Sequence, residues 1–155
     1  MELLLDMPLE EQAATAAFCP VSGSTQLLAV GTYELDEATG QRIGSTVLLS
    51  VKSGASTGCT VDPVASLPSA GVFELAWSCH GSSVVLGRAL ADGCVSLLDH
   101  EGQAEPGLTS GTSARAFDGG ALCTNLSFSP AGSADQVAVS SSAGDVAVLS
   151  QVGLG

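Results

Sequence analysis

Trp77-Ser78-Cys79-His80-Gly81-Ser82-Ser83-Val84-Val85-Leu86-Gly87-Arg88-Ala89-Leu90-Ala91-Asp92-Gly93-Cys94-Val95-Ser96-Leu97 decides the fold, because the chain repeats its pattern from Phe128 to Val148. Trp77 to Val95 and Phe128 to Val146 each span eighteen positions, so the two copies align without a gap. Each runs from an aromatic residue through small residues and an apolar stretch to a turn, Ala91-Asp92-Gly93 in one and Ala143-Gly144-Asp145 in the other. Gly and Asp there permit the positive φ of a tight hairpin. Beyond each turn the apolar residues alternate: Val95 with Leu97, and Val146 with Val148, share one strand face, with Ser96 and Ala147 on the other.

A third copy begins at Phe18-Cys19-Pro20, where Phe18 to Val47 spans twenty-nine positions. The extra residues, about eleven, fall between Tyr33 and Gly44, where Glu34, Asp36, Glu37, Gly40 and Gln41 read as an exposed polar hairpin loop. An insertion confined to a turn leaves the flanking strands intact.

Short strands repeating at this period predict an all-β fold of four-stranded blades, a β-propeller of the WD-repeat kind, with a small antiparallel sandwich as the alternative. The expected organisation is residues 13–52 as blade 1, 70–101 as blade 2 and 120–151 as blade 3, with 1–12 as a strand that closes the ring. Propellers close with about four to eight blades. Three blades therefore predict the N-terminal part of a single, incomplete propeller, about three blades of a seven-bladed ring. Ser53 to Ser69 and Gly102 to Gly120 read as loops rich in Ser, Thr, Gly and Pro, each hiding one short strand, at Val61 to Leu67 and at Ser113 to Phe117. Open blade edges and only six aromatic residues predict that the isolated chain folds poorly.

Charge narrows the partners. Four basic residues, Arg42, Lys52, Arg88 and Arg115, stand against sixteen acidic ones, a formal net charge of −12. Such a chain repels phosphate backbones and anionic lipid, which argues against nucleic-acid and membrane partners. The start Met1-Glu2-Leu3 lacks the basic region of a secretory signal, and a cytoplasmic location is expected. Cys19, Cys59, Cys79, Cys94 and Cys123 are odd in number and scattered, which argues against a disulfide framework or a structural zinc site.

Residues able to carry chemistry are few. His80 and His100 read as residues in or beside turns, and neither has a Ser or Cys nucleophile at a familiar spacing. Cys19 and Cys79 read as small residues packed between blades, and Asp92, Asp99 and Asp145 as turn or strand-end residues. No catalytic residue, metal ligand or cofactor is assigned from the residues. They predict a WD-repeat-like platform.

Ala16-Ala17-Phe18-Cys19-Pro20-Val21, Leu27-Leu28-Ala29-Val30-Gly31-Thr32-Tyr33-Glu34-Leu35 and Gln41-Arg42-Ile43-Gly44-Ser45 together resemble the first blade of the diphthine methylesterase family. Val72-Phe73-Glu74-Leu75-Ala76-Trp77 and Leu90-Ala91-Asp92-Gly93-Cys94-Val95-Ser96-Leu97-Leu98 resemble its second blade more loosely. The resemblance implies a WD-repeat carboxylic ester hydrolase of diphthamide biosynthesis. Its substrate would be the methyl ester of methylated diphthine on translation elongation factor 2, with no cofactor. Phe18 stands where the family usually has Trp, and the family's later His-bearing, Gly-Gly-Asp-Asp and Thr-Gly-Ser-Tyr-Asp segments are absent from this chain. Ester hydrolysis needs an activated water or nucleophile and donors for the oxyanion, expected on loops at the mouth of a propeller channel. The segment after Tyr33 is expected to reach that face, and Arg42 on its return to pair with a partner's carboxylate. The other reading is a non-catalytic scaffold for protein–protein interaction.

Overall fold

The computed structural model describes residues 3, 6–54, 58–80, 83–101, 107–130 and 136–150, with the backbone alone at positions 80 and 101. Eleven strands and no helix are found among these residues. No helix is therefore long and apolar enough to cross a membrane.

The strands form three antiparallel meanders in chain order. The first sheet holds β1 (Gln12–Phe18), β2 (Leu27–Asp36), β3 (Gln41–Ser53) and β4 (Cys59–Ala70). The second holds β5 (Val72–His80), β6 (Ser83–Leu90), β7 (Cys94–Glu101) and β8 (Gly107–Arg115). The third holds β9 (Cys123–Phe128), β10 (Gln136–Ser141) and β11 (Val146–Ser150). Successive sheets pack through their first strands, β1 against β5 and β5 against β9, so the three stand as blades of an incomplete propeller.

The repeat seen in sequence is a repeat in space. Phe18, Trp77 and Phe128 pair across their sheets with Leu28, Leu86 and Val137 respectively. The register shifts in each first strand at the same place, before Thr15, before Glu74 and between Cys123 and Asn125. Such a bulge bends a strand and redirects its side chains. The turn glycines Gly93 and Gly144 have φ of 82° and 92°, as their place in the two hairpins requires.

Two stretches that read as loops are mostly strand. Val61 to Leu67 lies inside the twelve-residue β4, which pairs with β3 from Cys59 opposite Ser53 to Ala70 opposite Ile43. Gly107–Arg115 forms β8 against β7, and Phe117 lies beyond it. Both are outer edge strands with few fully buried positions, so their sequences show little apolar alternation. The first-copy insertion is likewise a strand extension. Pairs Glu34–Ile43, Leu35–Arg42 and Asp36–Gln41 lengthen the β2–β3 ladder and leave a turn over residues 37–40. Asp36 closes that turn by accepting hydrogen bonds from Ala38 N at 2.9 Å and Thr39 Oγ1 at 2.6 Å, which hold its carboxyl below the usual range. Asp99 and His100 lie in the last three residues of β7, at its strand end. Of the expected closing strand over 1–12, residues 6–11 run without strand pairing, and 1, 2, 4 and 5 lie outside the described residues.

Aliphatic side chains supply the core. Leu27, Leu48, Leu86 and Leu98 are fully buried between the first two sheets with Ala29, Val72 and Leu75. A second cluster of Ala89, Val95, Cys123, Leu126, Val137 and Val139 joins the second sheet to the third. Each buried Leu or Val contributes about 1.5–3 kcal/mol. The spacing between sheets is kept short by small residues. A β-carbon on Gly31 would stand 2.6 Å from Val72 Cγ1, and one on Gly87 2.8 Å from Phe128 Cζ.

Candidate functional site

The β2–β3 and β6–β7 turns and the sheet-to-sheet links emerge at one end of the molecule and enclose a cleft of about 520 Å3. Its wall includes Gln41, Arg42 and Ile43 from the extended first hairpin, Asp92 from the β6–β7 turn, and Leu122 before β9. Backbone hydrogen bonds fix these segments to one another. Gly71 N donates to Arg42 O at 2.9 Å, and Ala91 N donates to Gly71 O at 2.8 Å. The equivalent bond one blade on joins Ser142 N to Leu122 O at 3.0 Å. Asp92 is held by its Oδ1, which accepts from Cys94 N at 3.0 Å, and by its carbonyl, which accepts from Arg115 at 2.8 Å. Arg42 and Asp92 are exposed, so the cleft presents one cation and one anion to solvent from a rigid frame.

Of the two residues expected from sequence to meet a partner, Arg42 lines this cleft. Tyr33 sits behind it: its ring packs on Phe73 with centroids 5.0 Å apart, and a β-carbon on Gly71 would come within 2.7 Å of it. The structure thus places Tyr33 under the link that carries Arg42's backbone partner. Tyr33 positions the wall, and Arg42 faces outward.

A second set of residues escaped the sequence reading. Thr15, Glu74 and Asn125 each stand three residues before the aromatic of their copy, just after the bulge. Glu74 bridges them, accepting from Thr15 Oγ1 at 3.4 Å on one oxygen and from Asn125 Nδ2 at 3.0 Å on the other. The signal was present as a polar residue at one repeat position in three apolar strands. The bulge that lets the three meet could not be read from spacing.

His100 has a serine neighbour seventy-six residues away. Its Nε2 lies 3.4 Å from Ser24 Oγ and its Nδ1 3.2 Å from Gly107 O, with Trp77 edge-on at 5.9 Å between centroids. A carbonyl partner at Nδ1 leaves Nε2 to accept from the hydroxyl, the tautomer of a nucleophile–base pair. Ser24, however, is 2 % exposed. The pair ties the first sheet to the second where a protein substrate has no access. The side chain of His80 lies outside the described residues.

Arg88 is buried between the first and second sheets. It donates to Thr46 Oγ1 at 3.3 Å and Ser96 Oγ at 3.0 Å, while Nε has no hydrogen-bond partner among the described residues. Burial pushes its pKa down, partly opposed by Asp92. The cysteines are free; Cys19 and Cys123 are buried, and burial pushes the Cys123 thiol up to about 11. Among the described residues no three His, Cys, Asp or Glu side chains gather to hold a metal ion.

No family model matches the chain. Among curated proteins it is similar to a protein of Schizosaccharomyces pombe named diphthine methyltransferase, with 33% identity over 123 residues. The match covers 79% of this chain and 35% of that protein, so the chain spans about a third of its relative's length. The relationship is distant.

Proposed function

We propose that the protein acts in diphthamide biosynthesis, hydrolysing the methyl ester of methylated diphthine on translation elongation factor 2. The observation that supports this reading is the similarity over 123 residues to a protein named diphthine methyltransferase, which points to diphthine, while hydrolysis is what the resemblance of Ala16 to Ser45 to the first blade of the diphthine methylesterase family implies. Water adds to the ester carbonyl, the bond to the methoxy oxygen breaks, and methanol leaves with a proton while the carboxylate remains. Arg42 is assigned to positioning: on the cleft wall it meets the substrate's ester and then the carboxylate released, a charge-assisted contact. No residue of the three sheets is assigned to activating the water.

A non-catalytic scaffold is the second reading, favoured by the burial of Ser24 beneath His100. The two are separated by supplying the full-length protein to cells that accumulate the methyl ester and weighing the modified elongation factor. Loss of one methyl ester mass with appearance of diphthamide supports the hydrolase. Persistence of the ester with a folded protein supports the scaffold. Within the hydrolase, Arg42→Ala is expected to raise KM more than it lowers kcat, and an unchanged KM removes Arg42 from the substrate contact.

A further inference from the structure

We propose that Cys19 and Cys79 form a redox-sensitive clamp at the junction of the first two sheets, oxidised by a low-molecular-weight disulfide to a bond that fastens the end of β1 to β5. Two contacts set these strands side by side. Thr15 Oγ1 donates to Glu74 at 3.4 Å, and Trp77 Nε1 donates to Ala17 O at 3.1 Å. Both strands advance from the first contact to the second, so they run parallel, and Cys19 and Cys79 each lie two residues beyond the second. The pairing of β5 with β6 is unbroken from Leu75–Arg88 to Cys79–Val84, so Cys79 shares a strand face with Leu75 and Trp77. Leu75 belongs to the core cluster between the first two sheets, and Trp77 and Val84 pack against it. Cys19 is a member of that cluster and is 1% exposed, while Cys79 is exposed at its rim. Burial raises the Cys19 pKa, a hydrogen bond with the Val21 backbone lowers it, and Cys79 raises it further, so the two thiols feel each other.

The other three cysteines are placed differently. Cys94 packs against this first cluster and Cys123 is buried in the second, so they lie on opposite faces of the second sheet. Cys59 opens β4, the outer strand of the first sheet. Cys79, the exposed thiol of the pair, reacts first. Its thiolate attacks one sulfur of the small disulfide, that S–S bond breaks, and one thiolate leaves. Cys19 then gives up its proton and attacks the Cys79 sulfur. The mixed disulfide breaks, the Cys19–Cys79 bond forms and the second thiolate leaves with the electron pair. Two protein thiols are oxidised, one disulfide is reduced to two small thiols, and the two protons end on them. The bond joins residues sixty positions apart and so restricts the unfolded chain. It lies at the end of the sheets that carries the β1–β2 and β5–β6 connections, opposite the cleft of Arg42 and Asp92.

Oxidised glutathione added to the reduced 155-residue chain tests this, with circular dichroism confirming the strands. After the remaining thiols are alkylated, trypsin together with a protease that cuts after Glu puts each cysteine on its own peptide, Cys19 on 12–34 and Cys79 on 75–88. The expected product is lighter by two hydrogens before alkylation, carries these two peptides joined as its dominant pair, and has Cys59, Cys94 and Cys123 alkylated. It is expected to unfold at higher urea than the reduced chain. Cys79→Ser is expected to abolish the link, and Cys94→Ser to leave it in place. Glutathione retained on Cys79 with Cys19 alkylated overturns the proposal, as does a dominant link to any other cysteine or an oxidised chain no more stable than the reduced one. A Cys19–Cys79 link that forms as readily in denaturing urea overturns it too, since the fold then has no part in choosing the pair.

Discussion

Phe128 seats its ring on the bare backbone of Gly87, so closely that a β-carbon there would stand 2.8 Å from Cζ and 2.9 Å from Cε2. The two residues belong to neighbouring sheets, and their contact sets how near the third blade stands to the second. Gly87→Ala is therefore expected to destabilise the fold by about 1–3 kcal/mol through overpacking, although alanine favours a strand no less than glycine does. Phe128→Leu, which vacates the ring's edge, should recover part of that loss. Urea unfolding of the single and double variants measures the coupling, and additive losses would show that the two residues do not act on each other.

Arg88 is a charge buried with two hydroxyl partners and with no partner for Nε among the described residues. Replacing buried charged groups by apolar ones of similar volume is often neutral or stabilising by about 1–4 kcal/mol. Arg88→Met is expected to leave the urea midpoint unchanged or raise it. A loss above about 3 kcal/mol would mean that the guanidinium's bonds to Thr46 and Ser96 outweigh its desolvation.

Alkali should weaken the fold through its cysteines. Burial holds the Cys123 thiol at about 11, above its ordinary value, and pushes Cys19 and Cys94 upward as well. Between the unfolded and folded values the folded state binds more protons, so stability is whole below about pH 8.5 and falls as pH rises toward 11. Thermal unfolding from pH 8 to 11 should show a declining midpoint, and Cys123→Val should flatten it. A slope identical in wild type and variant would assign the alkaline loss to other groups.

Glu11 fastens the N-terminal segment to the first sheet, accepting hydrogen bonds from Thr32 Oγ1 and, at 2.7 Å, from Ser45 Oγ. Glu11→Ala removes both, yet Thr32 and Ser45 keep each other at 2.9 Å. The expected cost is therefore small, about 1 kcal/mol, and confined to that segment. Limited proteolysis should cut ahead of β1 faster in the variant while the global unfolding midpoint moves little. Equal cutting rates would show that the segment is held by its apolar contacts instead.

The Glu74 bridge can be removed from its centre. Glu74→Met takes away both acceptors, the one that meets the Thr15 hydroxyl and the one that meets the Asn125 amide. A fall of about 0.5–1.5 kcal/mol in denaturant stability is expected. If Asn125→Ala costs the same in the Glu74→Met background as in wild type, the bridge carries no coupling.

The aligned copies beginning at Trp77 and Phe128 determined the all-β class, the hairpins and the face on which Val95, Leu97, Val146 and Val148 lie. Hairpin turns and strand alternation are local properties, set by the φ preferences of Gly93 and Gly144 and by a side-chain period of two. β4 and β8 were not legible as full strands because outer edge strands with few fully buried positions need no regular apolar alternation. Their pairing is chosen by the strand already in place. What only the tertiary structure decided was which distant residues come together: Ser24 with His100, Thr15 and Asn125 with Glu74, and Arg42 and Asp92 on the wall of one cleft. These meetings depend on bulges and on the closeness of packed sheets, which glycines such as Gly31 and Gly87 permit and which no spacing along the chain encodes. The same packing buries Val95 and Leu97 and leaves Val146 and Val148 bare, although the sequence writes the two pairs alike.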